Sequence, residues 1–150
     1  MSAALGCGPG GDTGRVAPDF DLPRVGGGRL ALKDLRGKLV LLDFWATWCV
    51  PCVRAIPELN ALYRSQRERG VEVIGIAVDD LEEAELAAWL AEKGVEYPVV
   101  RADADLAAAY DAYVFPQHVL VSAQGTILDQ LEPGVHSSDA LEARIARHLD

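Results

Sequence analysis

Two cysteines separated by two residues are the part of the sequence best suited to chemistry. They lie in the segment Trp48-Cys49-Val50-Pro51-Cys52, directly after an apolar run. If a helix begins here, the first sulfur sits at its N-terminus, where unpaired backbone amides and the helix dipole favour the thiolate. Cys49 is therefore the candidate nucleophile, and Cys52 is the candidate resolving thiol that displaces a bound partner and closes a disulfide. Pro51 fits the first helical turn, where its missing amide proton has no partner to lose.

A zinc site is the alternative explanation of this spacing, because Cys-x-x-Cys also forms half of many structural zinc sites. Such a site needs two further cysteine or histidine ligands at a suitable spacing. The chain has three cysteines and three histidines, and the remaining candidates are Cys7, His118, His136 and His148. They form no spaced pair, so we predict no metal and no cofactor other than the redox-active Cys49-Cys52 disulfide itself.

The composition predicts one folded domain and excludes two classes of function. The chain has 150 residues, of which 50% are hydrophobic, and this suffices for a substantial core. Its net charge is −9 and its basic residues are scattered, which excludes a nucleic-acid-binding surface. No apolar run reaches the roughly 18 to 20 residues that a membrane-spanning helix requires.

Residues 1–16 differ from the rest in being rich in glycine, proline, alanine and serine. Such a segment buries too little apolar surface to order itself, so we predict a flexible tether over 1–16 and a folded domain over 17–150. Leu5-Gly6-Cys7 resembles the end of a bacterial lipoprotein signal, which makes Cys7 a candidate for lipid attachment. We therefore expect an extracytoplasmic protein, periplasmic or anchored to a membrane after loss of its leader. A cytoplasmic protein with an incidental thiol is the alternative.

Apolar runs alternate with turn-forming residues along the rest of the chain and predict an α/β domain. The continuous run Leu39–Trp45 is the strongest strand and should be central and buried. We predict a hairpin turn at 25–30, strands at 71–78, 117–121 and 126–131, and a short extended segment at 97–100. We predict helices at 51–69, 82–93, 105–113 and 138–149. This order gives a mixed sheet with helices on its faces.

Several motifs together resemble one branch of the thioredoxin superfamily. The segment Phe44–Cys52, with Pro57 five residues after the second cysteine, resembles the TlpA/ResA-like thiol-disulfide oxidoreductases, which are related to the AhpC/TSA proteins. Ala17-Pro18-Asp19-Phe20, Gly37-Lys38, and Phe115-Pro116 before Val119-Leu120-Val121 match the same pattern in order. The resemblance covers roughly residues 17 to 149. It implies a thioredoxin fold, with a central mixed β-sheet flanked by helices, an N-terminal β-hairpin extension and a central helical insertion.

The resemblance also implies a substrate-binding surface. Pro116 corresponds to the family's cis-proline, whose loop holds the substrate chain beside Cys49. Trp48 is expected to pack beside the disulfide and limit access to it. The residues predicted to bind substrate are Trp48, Val50, Pro51, Phe115 and Pro116.

Two further residues have a functional and an ordinary interpretation. Asp43 matches the buried carboxylate of thioredoxin, and because burial disfavours the charged form it could accept the proton from Cys52. Many members of the branch have Asn at this position, and an acid pointing outward from the strand end is the alternative. His118 could tune the Cys49 thiolate across the cis-proline loop, or it could be a solvated histidine at the start of a strand.

We therefore predict a thiol-disulfide oxidoreductase that reduces protein disulfides. A thiol peroxidase is one alternative, because residues 17–22 also resemble the opening of the peroxiredoxins, although Ala46 stands where they have Thr. A Cu(I)-binding module that uses Cys49 and Cys52 is another, which the two-residue spacing disfavours. Ala55 stands where several ResA-like reductases of cytochrome c maturation have Glu, and this weakens that specific assignment.

The partners expected for a reductase of this kind are client proteins with disulfides and a membrane or soluble thiol electron donor. We expect a monomer with no nucleic-acid partner. The sequence leaves open the physiological direction, the reduction potential and the identity of client and donor. The acidic run 79–83 has the composition of a helix N-terminus and is assigned no function.

Overall fold

The structure is a computed structural model that describes residues 13–149. Its strands are β1 (Asp21–Pro23), β2 (Arg29–Ala31), β3 (Leu39–Trp45), β4 (Val71–Val78), β5 (Val99–Ala102), β6 (Gln117–Val121) and β7 (Ile127–Gln130). Its α-helices are α1 (Val50–Gln66), α2 (Glu83–Lys93), α3 (Ala104–Ala109) and α4 (Ser138–Ala146). Short 3-10 helices cover Leu32–Leu35 and Arg67–Arg69.

A five-stranded mixed sheet of spatial order β5-β4-β3-β6-β7 forms the centre of the protein. Strands β3, β4 and β5 run parallel, β6 pairs antiparallel with β3, and β7 pairs antiparallel with β6. The predicted α/β architecture and central mixed sheet are therefore confirmed. Parallel strands place their carboxyl ends along one edge, so the loop after β3 lies beside the loop after β4.

Strand β3 is buried along its whole length because both faces of the sheet are covered. Leu41 and Trp45 pack in a core shared with α1, α2 and α4. Val40, Leu42 and Phe44 pack in a second core on the opposite face, together with α3 and the N-terminal segment. Alternation along the strand therefore directs every second side chain, including that at position 43, towards α1.

Helix α1 begins directly after Cys49 and continues past an internal proline. Cys49 caps it in an extended conformation, and Pro51 occupies the first turn. Pro57 lies inside the helix without ending it. The chain leaves through the 3-10 helix at Arg67–Arg69 and turns at Gly70, whose φ of 83° suits glycine.

An N-terminal hairpin precedes the sheet, as the turn-forming glycines predicted. Strands β1 and β2 pair antiparallel, and the turn contains Gly26, Gly27 and Gly28, all with positive φ. An isolated bridge between Arg24 and Val100 attaches the hairpin to β5.

The predicted tether lies mostly outside the described residues, as does Cys7. Its last four residues, 13–16, contact β7: the Thr13 hydroxyl and amide donate to the Ile127 carbonyl, and Val16 bridges Thr126. The division at residue 16 stays a prediction. No helix within residues 13–149 combines the length and apolarity needed to cross a membrane.

Several predicted element boundaries are wrong, among them those of β5, α3 and α4. Strand β5 starts at Val99 and not at residue 97, because Tyr97 and Pro98 still belong to the loop that enters the sheet. Helix α3 ends at Ala109 and does not reach residue 113, because Asp111 adopts a positive φ of 58° and the Ala112 amide folds back onto the Ala107 carbonyl. Helix α4 ends at Ala146, three residues before the predicted end.

Candidate active site

Cys49 and Cys52 are joined by a disulfide at the beginning of α1. The Cys52 amide donates to Cys49 Sγ over 3.2 Å, so an unpaired N–H of the first helical turn points at the first sulfur. This contact and the helix dipole both stabilise negative charge on Cys49 in the reduced protein. Both cysteines are buried, at 6% and 3% exposure, but the exposed Trp48 and Val50 flank Cys49, so a partner approaches the pair from the Cys49 side.

The predicted cis-proline loop lies against the disulfide. The Phe115-Pro116 bond is cis, as the resemblance implied. The Phe115 carbonyl oxygen is 3.6 Å from Cys49 Sγ. The Pro116 carbonyl accepts from the Gly134 amide over 2.9 Å, which ties the loop to the segment after β7. The structure therefore brings the cis-proline loop and the cysteine pair together.

Apolar side chains surround the accessible side of Cys49. Trp48 is 70% exposed and Val50 is 66% exposed, although large apolar residues are usually buried. The Trp48 and Phe115 rings lie 6.0 Å apart in a tilted arrangement. Tyr113 and Val114, directly before Phe115, are exposed as well. We define Trp48, Val50, Tyr113, Val114 and Phe115 as the apolar rim, and its first, second and last members belong to the predicted substrate-binding set.

Asp43 is buried on the α1 face of the sheet, at 2% exposure. It alternates with Leu41 and Trp45, which pack in the same core as both cysteines. The alternative of an outward-pointing acid at the strand end is therefore wrong, because β6 and α1 cover this part of β3. Opposite it in β4 is Gly75, where an added Cβ would lie 3.0 Å from Trp45 Nε1 and 3.2 Å from Tyr97 Cε1. The missing side chain lets two aromatic residues pack beside the carboxylate.

His118 is fully buried, so the expectation of a solvated histidine is wrong. Strand β6 is an inner strand, and His118 lies directly opposite Asp43 in the antiparallel pairing with β3. Its Nε2 lies 3.2 Å from Asp43 Oδ1, within ion-pair distance but without the alignment of a hydrogen bond. Nothing in a single sequence reveals this pair, because it depends on the register between two strands far apart in the chain.

Asp79 anchors the loop that carries Trp48 and Cys49, a role that sequence reasoning missed. Its Oδ2 accepts from the Thr47 amide and the Thr47 hydroxyl, each over 2.6 Å, and its Oδ1 accepts from the Leu81 amide over 3.0 Å. Burial raises the pKa of this carboxyl, but the hydrogen bonds from Thr47 and Leu81 outweigh it, so the pKa lies below its ordinary value of 3.8. The sequence carries only part of this signal: Asp79 directly follows the predicted strand at 71–78.

Replacing Asp79 with Ala is expected to lower the free energy of unfolding by about 1 to 2 kcal/mol, because two Thr47 donors lose a charged acceptor. A group whose pKa is lowered by folding stabilises the fold at pH values above its pKa in the unfolded chain. This stabilisation is lost as the pH falls through the pKa of the folded state. The difference between wild type and Asp79→Ala should therefore shrink below pH 3.8. Urea denaturation at pH 7 and pH 3.5 measures it. Asp80→Ala, which removes the exposed neighbouring carboxylate, is the control, and equal losses from the two variants would refute the anchoring role.

Comparison with known proteins agrees with this geometry. The sequence model of the AhpC/TSA family matches residues 13–130. The chain belongs to the AhpC/TSA family. It is 31% identical to the thiol-disulfide oxidoreductase ResA of Bacillus thuringiensis over 89% of this chain and 77% of that protein. It is 34% identical to ResA of Geobacillus kaustophilus over 91% of this chain and 76% of that protein.

A solved structure supports the same assignment within the family. A candidate thiol:disulfide interchange protein DsbE from Chlorobium tepidum superimposes with a TM-score of 0.82 and 31% identity, covering 93% of this chain and 99% of that one. The chain is thus a TlpA/ResA-like member of the thioredoxin superfamily and a thiol-disulfide oxidoreductase. The predicted fold class and reaction type are confirmed.

Two positions at which the sequence departs from the expected family patterns are buried. Ala46 is fully buried three residues before Cys49, where the peroxidase alternative called for Thr. Ala55 is buried in α1, where the cytochrome-maturation reductases were expected to have Glu. Within residues 13–149, no group of three or more histidine, cysteine or acidic side chains could hold a metal ion. The expectation that the protein needs no cofactor stays a prediction.

Proposed function

We propose that this protein reduces disulfides in client proteins through the Cys49-Cys52 dithiol. The observation that carries the proposal is a disulfide at the start of α1, whose first cysteine stands between the exposed Trp48 and Val50 and whose second lies inside the helix. In the reduced form the Cys49 thiolate attacks a client disulfide, and one client sulfur leaves and takes a proton from water. Cys52 then attacks Cys49 Sγ, the second client sulfur leaves, and the enzyme disulfide closes.

Asp43 is the proposed proton acceptor for Cys52. A thiol must lose its proton to become a nucleophile, and Cys52 is buried away from water. Asp43 lies on the face of β3 that packs against α1, and it is buried there too. A carboxylate in this position can take the proton as the sulfur attacks. The two electrons that reduce the client come from the two enzyme sulfurs.

The environment of Cys49 supports the reducing direction. Strongly oxidising members of this class stabilise the first thiolate, often with an adjacent cationic side chain. Within residues 13–149 both polar contacts of Cys49 Sγ are with backbone groups, the Cys52 amide and the Phe115 carbonyl. A carbonyl oxygen disfavours a neighbouring anion. A less stabilised thiolate gives the disulfide form a lower reduction potential, which suits a reductant.

The apolar rim supports a polypeptide client. Trp48 offers a large exposed ring next to the reacting sulfur, and aromatic residues in such positions contribute strongly to protein-protein contacts. Trp48→Ala should lower kcat/KM for a protein disulfide about fivefold to tenfold, which is about 1 to 1.4 kcal/mol of binding. Its rate with dithiothreitol should stay unchanged, because that reagent is too small to use the rim. Val16→Ala, an exposed apolar residue on the N-terminal segment, is the control, and an equal loss with both reagents would contradict this role.

Client proteins with disulfides and a thiol electron donor are the proposed partners, and we propose an extracytoplasmic location. A solved structure of an exposed lipoprotein thioredoxin from Streptococcus pneumoniae is 27% identical to this chain, with a TM-score of 0.74 over 87% of this chain. That protein supports the location. Lipid attachment at Cys7 and a monomeric state are parts of the same proposal.

Insulin reduction tests the proposed function. With dithiothreitol as donor, the protein should accelerate the precipitation of the insulin B chain well above the rate with dithiothreitol alone. Cys49→Ser should remove the acceleration, and Cys7→Ser should leave it intact. A wild-type protein that gives no acceleration would overturn the proposal.

A further inference from the structure

His118 lies deep inside the protein on the side of the sheet that carries the cysteines. On β6, Leu120 packs in the core shared with α1, whereas Val119 and Val121 pack in the core on the opposite face. Alternation therefore places His118 on the α1 face, and the pairing register places it directly opposite Asp43. His118 on β6 and Asp43 on β3 are thus brought together on the face of the sheet that packs against α1.

This pair of side chains is incompletely satisfied. Among residues 13–149, neither His118 nitrogen has a hydrogen-bond partner, and neither has Asp43 Oδ1. The closest approach is the 3.2 Å between His118 Nε2 and Asp43 Oδ1. Buried polar atoms without partners cost free energy, so natural proteins keep few of them. An unsatisfied imidazole beside a carboxylate suits a pair that exchanges a proton, because each side chain can hold it.

We propose that His118 is a positioning residue that holds the Asp43 carboxyl and shares the proton that Cys52 gives up. The proposal rests on the proposed function. The step requires that the pair can take up one proton, with Asp43 as a carboxylate and His118 as a neutral imidazole. As the Cys52 S–H bond breaks, its proton passes to the pair, the Cys49-Cys52 bond forms, and the client sulfur leaves with the bonding electrons and is protonated by water. The pair then has no net charge, and burial favours this state over a single buried negative charge.

The other titratable side chains around the pair are held in contacts or protonation states of their own. Burial and then the charge of Asp43 raise the pKa of Tyr97, which precedes β5, well above 10.0, so its hydroxyl keeps its proton. The His136 ring, from the segment before α4, lies 5.7 Å from the His118 ring and binds the Glu132 carbonyl through Nε2. On α1, the Glu58 carboxylate accepts from the Ser138 amide.

The proposal can be tested by a double-mutant cycle on the reduction of the enzyme disulfide, which is the reverse of the resolving step. Dithiothreitol attacks Cys49 Sγ in the oxidised enzyme, and Cys52 leaves and must take a proton. We would measure reduction from pH 5.5 to 9 by quenching with a maleimide, for wild type, His118→Gln, Asp43→Asn and the double variant. His118→Gln should slow reduction at pH 7 about tenfold, the loss typical when a residue that orients a reacting group is removed. The double variant should be no slower than Asp43→Asn, and both single variants should share one altered pH profile.

Control variants distinguish a loss of the His118 role from a loss of folding and from a failure of the proposed reductase function. His136→Gln removes the neighbouring imidazole and should match wild type in rate and in pH profile. A folded His118→Gln with the rate and profile of wild type, or losses that multiply in the double variant, would overturn the proposal. If wild type reduces insulin normally while His118→Gln behaves like wild type, only the role of His118 fails.

A measurement on the wild-type side chain keeps the proposal falsifiable if His118→Gln does not fold. The two imidazole nitrogens of His118 can be followed by nitrogen-15 NMR in the oxidised and the reduced protein. Their shifts should differ between the redox forms, and Asp43→Asn should remove the difference. Identical shifts in both forms of the wild-type protein would overturn the role.

Discussion

A Cys52→Ser variant is expected to accumulate a stable mixed disulfide between Cys49 and its client. Cys49 keeps its place at the helix N-terminus and still attacks, but the resolving sulfur is missing, so the client is not released. Turnover should therefore fall to the uncatalysed level. Non-reducing electrophoresis followed by mass spectrometry detects the complex and locates the bond at Cys49.

Two variants make this result specific. Cys49→Ser should give neither turnover nor a complex, because Cys52 lies inside α1 and lacks the position at the helix N-terminus between exposed residues that Cys49 has. Cys7→Ser should turn over like wild type. A complex formed through Cys52, or equal trapping by Cys49→Ser and Cys52→Ser, would reverse the roles assigned to the two sulfurs.

Replacing Asp43 with Asn is expected to slow the resolving step by about 100-fold, the lower end of the range for general acid-base catalysis. Asn keeps the size of the side chain but cannot accept a proton. The first attack by Cys49 should keep its wild-type rate, so the mixed disulfide should build up transiently. Rapid quenching with a fluorescent disulfide peptide separates the two steps.

The pH dependence of that variant adds a second readout. Without an internal acceptor, Cys52 must ionise alone, so the loss should diminish as the pH rises towards the thiol's own ionisation. Asp80→Asn, which alters an exposed carboxylate, should leave both steps unchanged. Equal resolving rates for wild type and Asp43→Asn at pH 7 would show that Asp43 accepts no proton.

The sequence alone predicts those parts of the fold that depend on local pattern. The run Leu39–Trp45 has the length and continuous apolarity of a buried strand, and the structure gives β3 the same bounds. The helix after Cys49 follows from apolar spacing and from Pro51. The end of α3 could not be predicted, because it depends on Asp111 in the left-handed region and on tertiary burial of Tyr110.

The residues of the candidate site also fall into two groups, those that local motifs predict and those that only the strand pairing brings together. The cysteine pair and Pro116 lie in contiguous motifs and could be named from the sequence. The Asp43-His118 pair requires the register of β3 with β6, and the Asp79-Thr47 anchor requires β4 beside β3. Long-range pairing has no local signature, so the sequence analysis left His118 with two interpretations and assigned no function to Asp79.

The reduction potential of the Cys49-Cys52 couple tests the central claim most directly. Equilibration in glutathione and dithiothreitol buffers, with Cys7→Ser so that one couple reports, would measure it, and the Cys52→Ser variant would confirm the source of the signal. We predict a value near or below about −250 mV, in the range of a reductase that a donor recharges. A value near about −120 mV, that of a protein that inserts disulfides, would contradict the proposed direction.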